Sequence, residues 1–138
     1  MYGRVIRCVL SGSFHRDYPG LERQYRELVA NGCQVLSPHR LHFHDTDTAF
    51  VVDEAEQTTS FKTLENHHLL SIKQADFLWL HVPDGYIGLS TAMELGFAKA
   101  LNIPVFSNDR INDQTLREYV SVQPSVFAAI ELLQVKND

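Results

Sequence analysis

Short apolar runs alternate with segments of helical spacing along most of this chain. Apolar runs bounded by glycine, proline or polar turns predict four strands, at residues 4–10, 33–36, 76–82 and 105–106. Apolar residues three or four positions apart favour five helices, at residues 20–31, 61–74, 90–101, 113–120 and 123–134. The run at 76–82 is the most apolar, which is typical of a central strand covered on both faces.

The alternation of strands and helices indicates the fold class. It implies parallel strands joined by right-handed crossovers, with helices on both faces of the sheet. We therefore predict one α/β domain over residues 1–138, with a doubly wound, Rossmann- or flavodoxin-like parallel sheet of four or five strands. Ligands of such sheets bind beyond the carboxyl ends of the strands, where the strand order reverses. Residues 11–16, the end of the second strand and residues 83–91 are expected to meet there.

The stretch between the second strand and the next helix breaks the pattern. Residues 38–60 lack a clean period, and so long a connection is usually functional or disordered. Within this segment, the metal-ligand candidates by their close spacing are His39, His42, His44 and Asp45. Their spacing matches no closed zinc pattern and no cysteine joins them, so we predict no metal site. Phe43 and Phe50 either stack on a bound base or pack the loop onto the sheet.

Composition narrows the classes of function. The 138 residues suffice for one domain with a real hydrophobic core. A net charge of −5 argues against binding to polymeric nucleic acid, which needs clustered basic residues, but not against a single nucleotide. No apolar run is as long as a membrane span and the N-terminus lacks a signal-peptide layout, so we expect a cytoplasmic protein without a membrane partner. Cys8 and Cys33 lie in apolar runs, which predicts buried, reduced thiols.

Glu94 is the first candidate for chemistry. It lies on the first turn of the predicted helix after the central strand, where the helix N-terminus keeps a carboxylate ionised beside the ligand crevice. Ionised carboxylates attack an anomeric carbon or stabilise an oxocarbenium-like transition state. The spacing Thr91-x-x-Glu94 also fits a capping box, in which Glu94 only bonds back to the Thr91 backbone. Gly96 favours function, because a glycine inside a helix costs about 1 kcal/mol and suggests close packing or ligand approach.

The turn after the first strand is the candidate anion site. It reads Ser11-Gly12-Ser13-Phe14-His15-Arg16, in which Gly12 lets the backbone turn and N–H groups, Ser13 and Arg16 hold an anion. An ordinary strand-to-helix turn is the alternative interpretation. No Walker-type lysine and no Gly-x-Gly-x-x-Gly is present, so we expect neither ATP-driven phosphoryl transfer nor dinucleotide binding. Arg16 favours a 5′-monophosphate over a free nucleoside.

Residues 74–80, Gly88, the segment Thr91-Ala92-Met93-Glu94-Leu95-Gly96-Phe97-Ala98 and residues 103–105 together resemble a known family. They are similar to the nucleoside 2-deoxyribosyltransferases and to their relatives, the 2′-deoxynucleoside 5′-monophosphate N-glycosidases. In that superfamily the glutamate of the Glu-Leu-Gly-x-Ala segment is the nucleophile, which the resemblance implies for Glu94. The turn at residues 10–14 is similar to the family's turn that lines the sugar and phosphate site. The expected substrate-binding residues are Ser11, Gly12, Ser13, Phe14, Arg16, Gly88 and Ser90.

Two positions depart from the family pattern. The family's aspartate that holds or protonates the base corresponds to His68, and an aspartate that transferases carry six residues before the nucleophile corresponds to Gly88. His68 is either a general acid, since histidine titrates near neutrality, or a plain half-buried helix residue. Glu65 and Asp84 are the other candidates for the missing acid.

These expectations lead to two hypotheses about function, an enzyme and a non-catalytic binding module. The enzyme cleaves or transfers at the N-glycosidic bond of a (deoxy)nucleoside or nucleoside 5′-monophosphate, with Glu94 as nucleophile and His68 or Asp84 assisting departure of the base. No metal or organic cofactor is implied, and the resemblance suggests a homodimer or higher homo-oligomer. The alternative hypothesis is a nucleotide-binding module without catalysis. It is supported by the replacement of the family's acid at position 68.

Overall fold

The structure is a computed structural model that describes residues 4–39 and 60–137. The strands are β1 Arg7–Gly12, β2 Gln34–Ser37, β3 Phe77–His81, β4 Val105–Ser107 and β5 Ser121–Val122. The α-helices are α1 Tyr18–Ala30, α2 Phe61–Gln74, α3 Leu89–Ala100 and α4 Val126–Asn137. Short 3-10 turns occupy Pro83–Gly85 and Leu116–Tyr119. Several residues considered above lie outside the described part of the chain, namely His42, Phe43, His44, Asp45 and Phe50.

The strands form one parallel sheet in the order β2-β1-β3-β4-β5. This confirms the predicted doubly wound α/β fold, with five strands in the sheet. The strand order reverses between β1 and β3, because the chain passes from β1 to β2 at one edge and then crosses to the other side of β1. The carboxyl ends of β1 and β3 therefore border the crevice where folds of this class bind ligands.

Helices cover both faces of the sheet and divide the core into two. On one face, α1 and α4 pack over a set of buried strand residues that comprises Cys8, Leu10, Phe77, Trp79 and Phe106. On the other face, α2 and α3 pack over Val9, Leu78, Leu80 and Val105. All five residues of β3 are buried, which confirms that it is the central strand and that Trp79 belongs to the core. None of the helices in the described ranges has the length and apolar composition needed to cross a bilayer.

Local sequence explains where α1 begins and ends. Asp17 caps the helix, because its Oδ1 accepts a hydrogen bond from the Gly20 N–H at 3.2 Å. Pro19 lies in the first turn, where a missing N–H costs nothing. Gly32 follows the helix with φ at 84°, a left-handed conformation that glycine adopts without strain. The predicted stop at Asn31-Gly32 is thereby confirmed.

β1 starts later and ends later than predicted. It runs from Arg7 through Ser11 and Gly12, so these two residues belong to the strand rather than to the turn after it. Asp76 anchors the start, because its Oδ2 accepts a hydrogen bond from the Arg7 N–H at 2.8 Å. The extra length carries Ser11 and Gly12 to the carboxyl end of the sheet, beside the switch between β1 and β3.

The helix predicted over residues 113–120 is wrong. The chain there forms only the 3-10 turn Leu116–Tyr119 and then the edge strand β5. The Asp113 carboxylate stabilises this turn, since its Oδ1 accepts hydrogen bonds from the N–H groups of Thr115 and Leu116 at 2.9 and 2.8 Å. β5 escaped prediction because both of its residues are exposed and leave no apolar pattern.

Cys8 and Cys33 are buried and their thiols are free, as predicted. The two side chains contact each other. That contact, followed by burial, raises the pKa of the Cys8 thiol. Cys8 is therefore held in the protonated, unreactive form.

Candidate active site

Four elements bring polar side chains together on the α2/α3 face of the sheet, near the carboxyl ends of β1 and β2. We call this group the Glu94 cluster. Its members are Glu94 of α3, Glu65 and His68 of α2, Ser11 of β1 and Ser37 of β2. The crossover connections thus place residues from distant parts of the chain at one point beside the strand-order reversal.

Glu94 is only 5% exposed and lies in the second turn of α3, not in the first as predicted. The helix begins at Leu89 with Gly88 as its N-cap, and no side chain caps it. Thr91 is a buried residue within the helix, so the capping-box interpretation is wrong. The Glu94 carboxylate instead faces α2.

His68 connects the two strands to Glu94. Its Nδ1 lies 2.7 Å from Ser37 Oγ, and its Nε2 lies 2.8 Å from Ser11 Oγ and 3.5 Å from Glu94 Oε1. Both ring nitrogens are therefore engaged by hydroxyl groups, which donate or accept hydrogen bonds equally well. Nε2 is also the ring atom that faces the Glu94 carboxylate.

The two carboxyl groups of the cluster have pKa values shifted in opposite directions from the ordinary value of a glutamate. Burial, the largest influence on Glu94, opposes ionisation, but contacts with His68, Glu65 and Ser11 outweigh it and lower the Glu94 pKa. Burial and the adjoining Glu94 carboxyl raise the pKa of Glu65 to about 8. Near neutral pH, Glu94 is therefore an ionised carboxylate and Glu65 is a neutral acid.

The turn after β1 carries the other predicted anion ligands. Ser13 and Phe14 follow the strand, and Phe14 packs partly buried against the core under α1 and α4. Arg16 is exposed, and its guanidinium carbon lies 3.8 Å from the centroid of the Tyr86 ring. Tyr86 belongs to the loop after β3, so this cation–π contact joins the two loops that border the crevice. Tyr86 was not singled out from the sequence.

Gly12 has a different role from the predicted one. It pairs with His81 across β1 and β3, and a Cβ at this position would lie 2.8 Å from His81 Cβ. That distance is too short for two carbon atoms, so only glycine leaves room for His81. Gly12 therefore serves packing at the switch point rather than a turn of the backbone.

The segment after β3 holds three more predicted site residues. Asp84 is exposed in the 3-10 turn with φ at 54°, and its carbonyl accepts a hydrogen bond from Asn112 Nδ2 at 3.0 Å. Gly88 is the N-cap of α3, and Ser90 is exposed in the first turn. The contacts of Glu94 within the described residues are with His68, Glu65 and Ser11. The structure thus brings His68 and Ser11 to Glu94, but not Asp84.

A second polar group lies on the opposite, α1/α4 face of the same switch point. We call it the His81 cluster, which consists of Asp17, Gln24, Trp79, His81 and Asn108. Trp79 Nε1 donates to Gln24 Oε1 at 2.5 Å, and Gln24 Nε2 lies 2.6 Å from His81 Nδ1 and 3.5 Å from Asn108 Oδ1. His81 Nε2 lies 3.1 Å from Oδ2 of Asp17, the residue that caps α1. Spacing in the sequence gave no signal for this group.

The protonation of His81 follows from its partners. An indole N–H can only donate, so Gln24 turns its oxygen to Trp79 and its amide nitrogen to His81. His81 Nδ1 must then accept, which leaves the ring proton on Nε2, where it is donated to Asp17. Burial lowers the pKa of His81, although Asp17 acts in the opposite direction. His81 is a neutral and fully bonded residue.

Within residues 4–39 and 60–137, no group of three His, Cys, Asp or Glu side chains is placed to hold a metal ion. His39, the one member of the loop histidines in that range, lies with its ring centroid 5.4 Å from that of His67. This contact places His39 against α2.

Comparison with known proteins shows a likeness of fold. No protein-family model and no curated protein sequence matches the chain. The structure of the CMP N-glycosidase BcmB from Clostridium botulinum superposes with a TM-score of 0.53 at 15% sequence identity, over 94% of this chain and 98% of that one. At this level of identity the likeness is one of fold, and it agrees with the doubly wound α/β architecture described above.

Proposed function

We propose that this protein cleaves or transfers at the N-glycosidic bond of a (deoxy)nucleoside or nucleoside 5′-monophosphate, with Glu94 as the nucleophile. The observation that carries the proposal is the buried, ionised Glu94 carboxylate at the switch between β1 and β3. The similarity of fold to a CMP N-glycosidase supports the same class of reaction.

The surroundings of Glu94 suit attack on a sugar carbon. C1′ develops positive charge as the base departs, and a fixed carboxylate stabilises that charge strongly where water is excluded. Ser11 and His68 hold the carboxylate, so little reorganisation is needed when the sugar arrives. Water then completes hydrolysis, or a second base completes transfer. This chemistry uses protein side chains alone and calls for no cofactor.

The two loops beside the crevice supply the substrate contacts of this proposal. Ser13, Phe14 and Arg16 come from the loop after β1, and Gly88 and Ser90 come from the start of α3. Arg16 is exposed and is held over Tyr86, so its guanidinium can bind a 5′-phosphate without leaving the aromatic ring. A nucleoside 5′-monophosphate is therefore the preferred substrate class. Asp84, in the 3-10 turn after β3, would contact the substrate rather than Glu94.

A homo-oligomer is part of the proposal. α3 presents an apolar stripe at helical spacing on its outer side, with Leu89 92% exposed and Met93 50% exposed, followed by the exposed Gly96 and Ala100. An interface on α3 would lie on the helix that carries Glu94. Light scattering of the purified protein measures the mass, and Met93→Lys is expected to shift a dimer towards monomer.

The test measures release of free base by chromatography from a panel of nucleosides, deoxynucleosides and their 5′-monophosphates. We expect release from at least one monophosphate, and a loss on the order of 10³-fold or more in Glu94→Gln, because the nucleophile is gone. Glu131→Gln, an exposed change on α4, is the matched control.

Two results would contradict the proposal. Activity that survives in Glu94→Gln would remove Glu94 from the nucleophile role. Nucleotides that raise the melting temperature while no base is released would indicate the non-catalytic binding module instead.

A further inference from the structure

We propose that Glu65 is the general acid that protonates the departing base, and that His68 is a positioning residue for Glu94. The inference rests on the proposed function and deepens it. The sequence suggested that His68 takes over the role of the family's aspartate. Here two residues on one face of α2 have separate roles, with Glu65 as the acid and His68 as the residue that positions Glu94.

The contacts of His68 argue against the acid role. Ser37 occupies its Nδ1 and Ser11 occupies its Nε2, both within 2.8 Å. A proton on Nε2 is directed at Ser11 and at Glu94 Oε1, 3.5 Å away, so neither ring nitrogen is left to face a substrate. The two hydrogen bonds instead tie α2 to β1 and β2, and the ion-pair contact of Nε2 holds the Glu94 carboxylate of α3.

Glu65 supplies a second carboxyl group beside Glu94. It precedes His68 by three residues on the same helix, so both side chains emerge on one face. Its carboxyl contacts that of Glu94, and its Oε2 is buried with no hydrogen-bond donor among the described residues. A buried carboxyl oxygen without a donor, beside another carboxylate, favours the protonated form. The pair holds one proton and one negative charge.

The separation of the two carboxyl groups matches their proposed tasks. Glycosidic cleavage needs one ionised carboxylate and one neutral carboxylic acid in the same site. Burial and Glu94 raise the Glu65 pKa to about 8, while His68 and Ser11 help to lower that of Glu94. Environments that push two titratable groups apart in this way assign the acid and the nucleophile.

The reaction balances with these two groups and water. A Glu94 oxygen forms a bond to C1′ while the C1′–N bond breaks and its electron pair passes to the base. The Glu65 proton moves to the base, which leaves neutral, and Glu65 becomes a carboxylate. Glu65 then takes a proton from a water molecule as the water oxygen attacks C1′, and the bond between C1′ and Glu94 breaks. Both carboxyl groups return to their starting states.

The test compares leaving groups in Glu65→Gln. One substrate is the best natural nucleotide of the base-release panel, whose base needs a proton to leave. The other is nicotinamide mononucleotide, whose pyridinium base departs neutral without one. We expect kcat on the natural nucleotide to fall on the order of 10²-fold or more, the usual contribution of a general acid, and kcat on the pyridinium nucleotide to change less than about threefold. Glu131→Gln is again the control.

His68→Asn should affect the two substrates equally, unlike Glu65→Gln. A positioning residue for Glu94 affects the attack on C1′ whatever the base, so both substrates should lose activity by a similar factor. Natural-substrate activity that survives in Glu65→Gln would overturn the acid assignment and leave the proposed function intact. Selective loss on the natural nucleotide in His68→Asn would return the acid role to His68. No base release by the unaltered protein would contradict the proposed function itself.

The pH dependence of kcat/KM provides a second readout on the natural nucleotide alone. The protein with Glu65 intact should lose activity as pH rises past about 8, because the acid becomes a carboxylate. The residual activity of Glu65→Gln should lack this alkaline decline. A decline that persists unchanged in the variant would assign it to another group and overturn the inference.

Discussion

The two faces of the switch point each hold a histidine, and the two histidines differ in how their hydrogen-bond partners constrain the ring. His81 is bonded by Gln24 and Asp17, whose own partners dictate one neutral tautomer. His68 is bonded by two serine hydroxyls, which accept either protonation state, and it stands beside a carboxylate. The partners of His81 therefore fix its tautomer, whereas the serine hydroxyls beside His68 do not.

The comparison teaches that burial alone does not identify an active site. Each cluster includes buried polar side chains near the carboxyl end of the sheet, and each joins a strand to a helix. Only the Glu94 cluster contains two carboxyl groups with diverging pKa values. The His81 cluster stabilises the loop after β1 and the start of α1, since Asp17 bonds both His81 and the Gly20 N–H.

The largest expected effect is on catalysis and belongs to the Glu94 cluster. His68→Ala removes the contacts that hold Glu94 and help to lower its pKa. We expect kcat/KM for base release to fall on the order of 10²-fold, with the acidic limb of the pH profile moved to higher pH. A pH series of base release measures both. An unchanged rate, or an acidic limb at the same pH as in the parent, would contradict a role of His68 in holding Glu94.

The matching change in the other cluster should affect stability. His81→Ala removes one hydrogen-bond partner each from Gln24 and Asp17 and opens a cavity, which costs about 2–4 kcal/mol of the free energy of unfolding. Urea denaturation measures the loss, and base release at a temperature where the variant is folded should stay within about threefold of the parent. A stable but inactive variant would place His81 in the catalytic machinery.

A smaller effect links stability to pH. Folding raises the Glu65 pKa from 4.5 to about 8, so between these values the folded state binds a proton that the unfolded state does not. The free energy of unfolding should therefore fall as pH rises from about 4.5 to about 8. Glu65→Gln cannot ionise and should be more stable than the parent at pH 9, by about 1–2 kcal/mol after allowance for partial exposure. Urea denaturation between pH 5 and pH 9 tests this, and parallel curves would contradict it.

The smallest effect concerns the phosphate. Arg16→Ala removes the guanidinium and its contact with Tyr86. We expect KM for 5′-monophosphates to rise about tenfold, near 1.4 kcal/mol, with little change for nucleosides. Steady-state kinetics on matched pairs of nucleoside and monophosphate measure the difference. An equal rise for both members of a pair would indicate that Arg16 organises the loop without binding phosphate.

Most of the fold could be predicted from the sequence, because its main strands and helices show clear hydrophobic periodicity. β3 is buried along its whole length and is apolar from Phe77 to Leu80, and α1 ends at Asn31-Gly32 as its sequence indicates. β5 and the turn before it were missed, because two exposed residues and a side-chain cap by Asp113 carry no apolar pattern. Such local hydrogen bonds compete with helix formation and are invisible to hydrophobic spacing.

The sequence predicted only part of the candidate site. The family resemblance pointed to Glu94 and His68, which the structure places together, and Glu65 stood among the candidate acids. Ser37 and the His81 cluster were missed, because their contacts join residues 31 to 84 positions apart. The backbone turn predicted at Gly12 was wrong for the same reason, since Gly12 lies in β1 opposite His81. Proximity across a parallel sheet depends on strand order, which spacing along the chain does not reveal.

The most direct test of the central claim is to trap the bond between Glu94 and the sugar. A 2′-deoxy-2′-fluoroarabino nucleoside 5′-monophosphate slows both steps, and the second step can be slow enough for the intermediate to accumulate. Peptide mass spectrometry should then find the sugar phosphate on the peptide that contains Glu94, and Glu94→Gln should show no adduct. An adduct on another side chain, or base release from this nucleotide at full rate with no adduct at Glu94, would contradict the account.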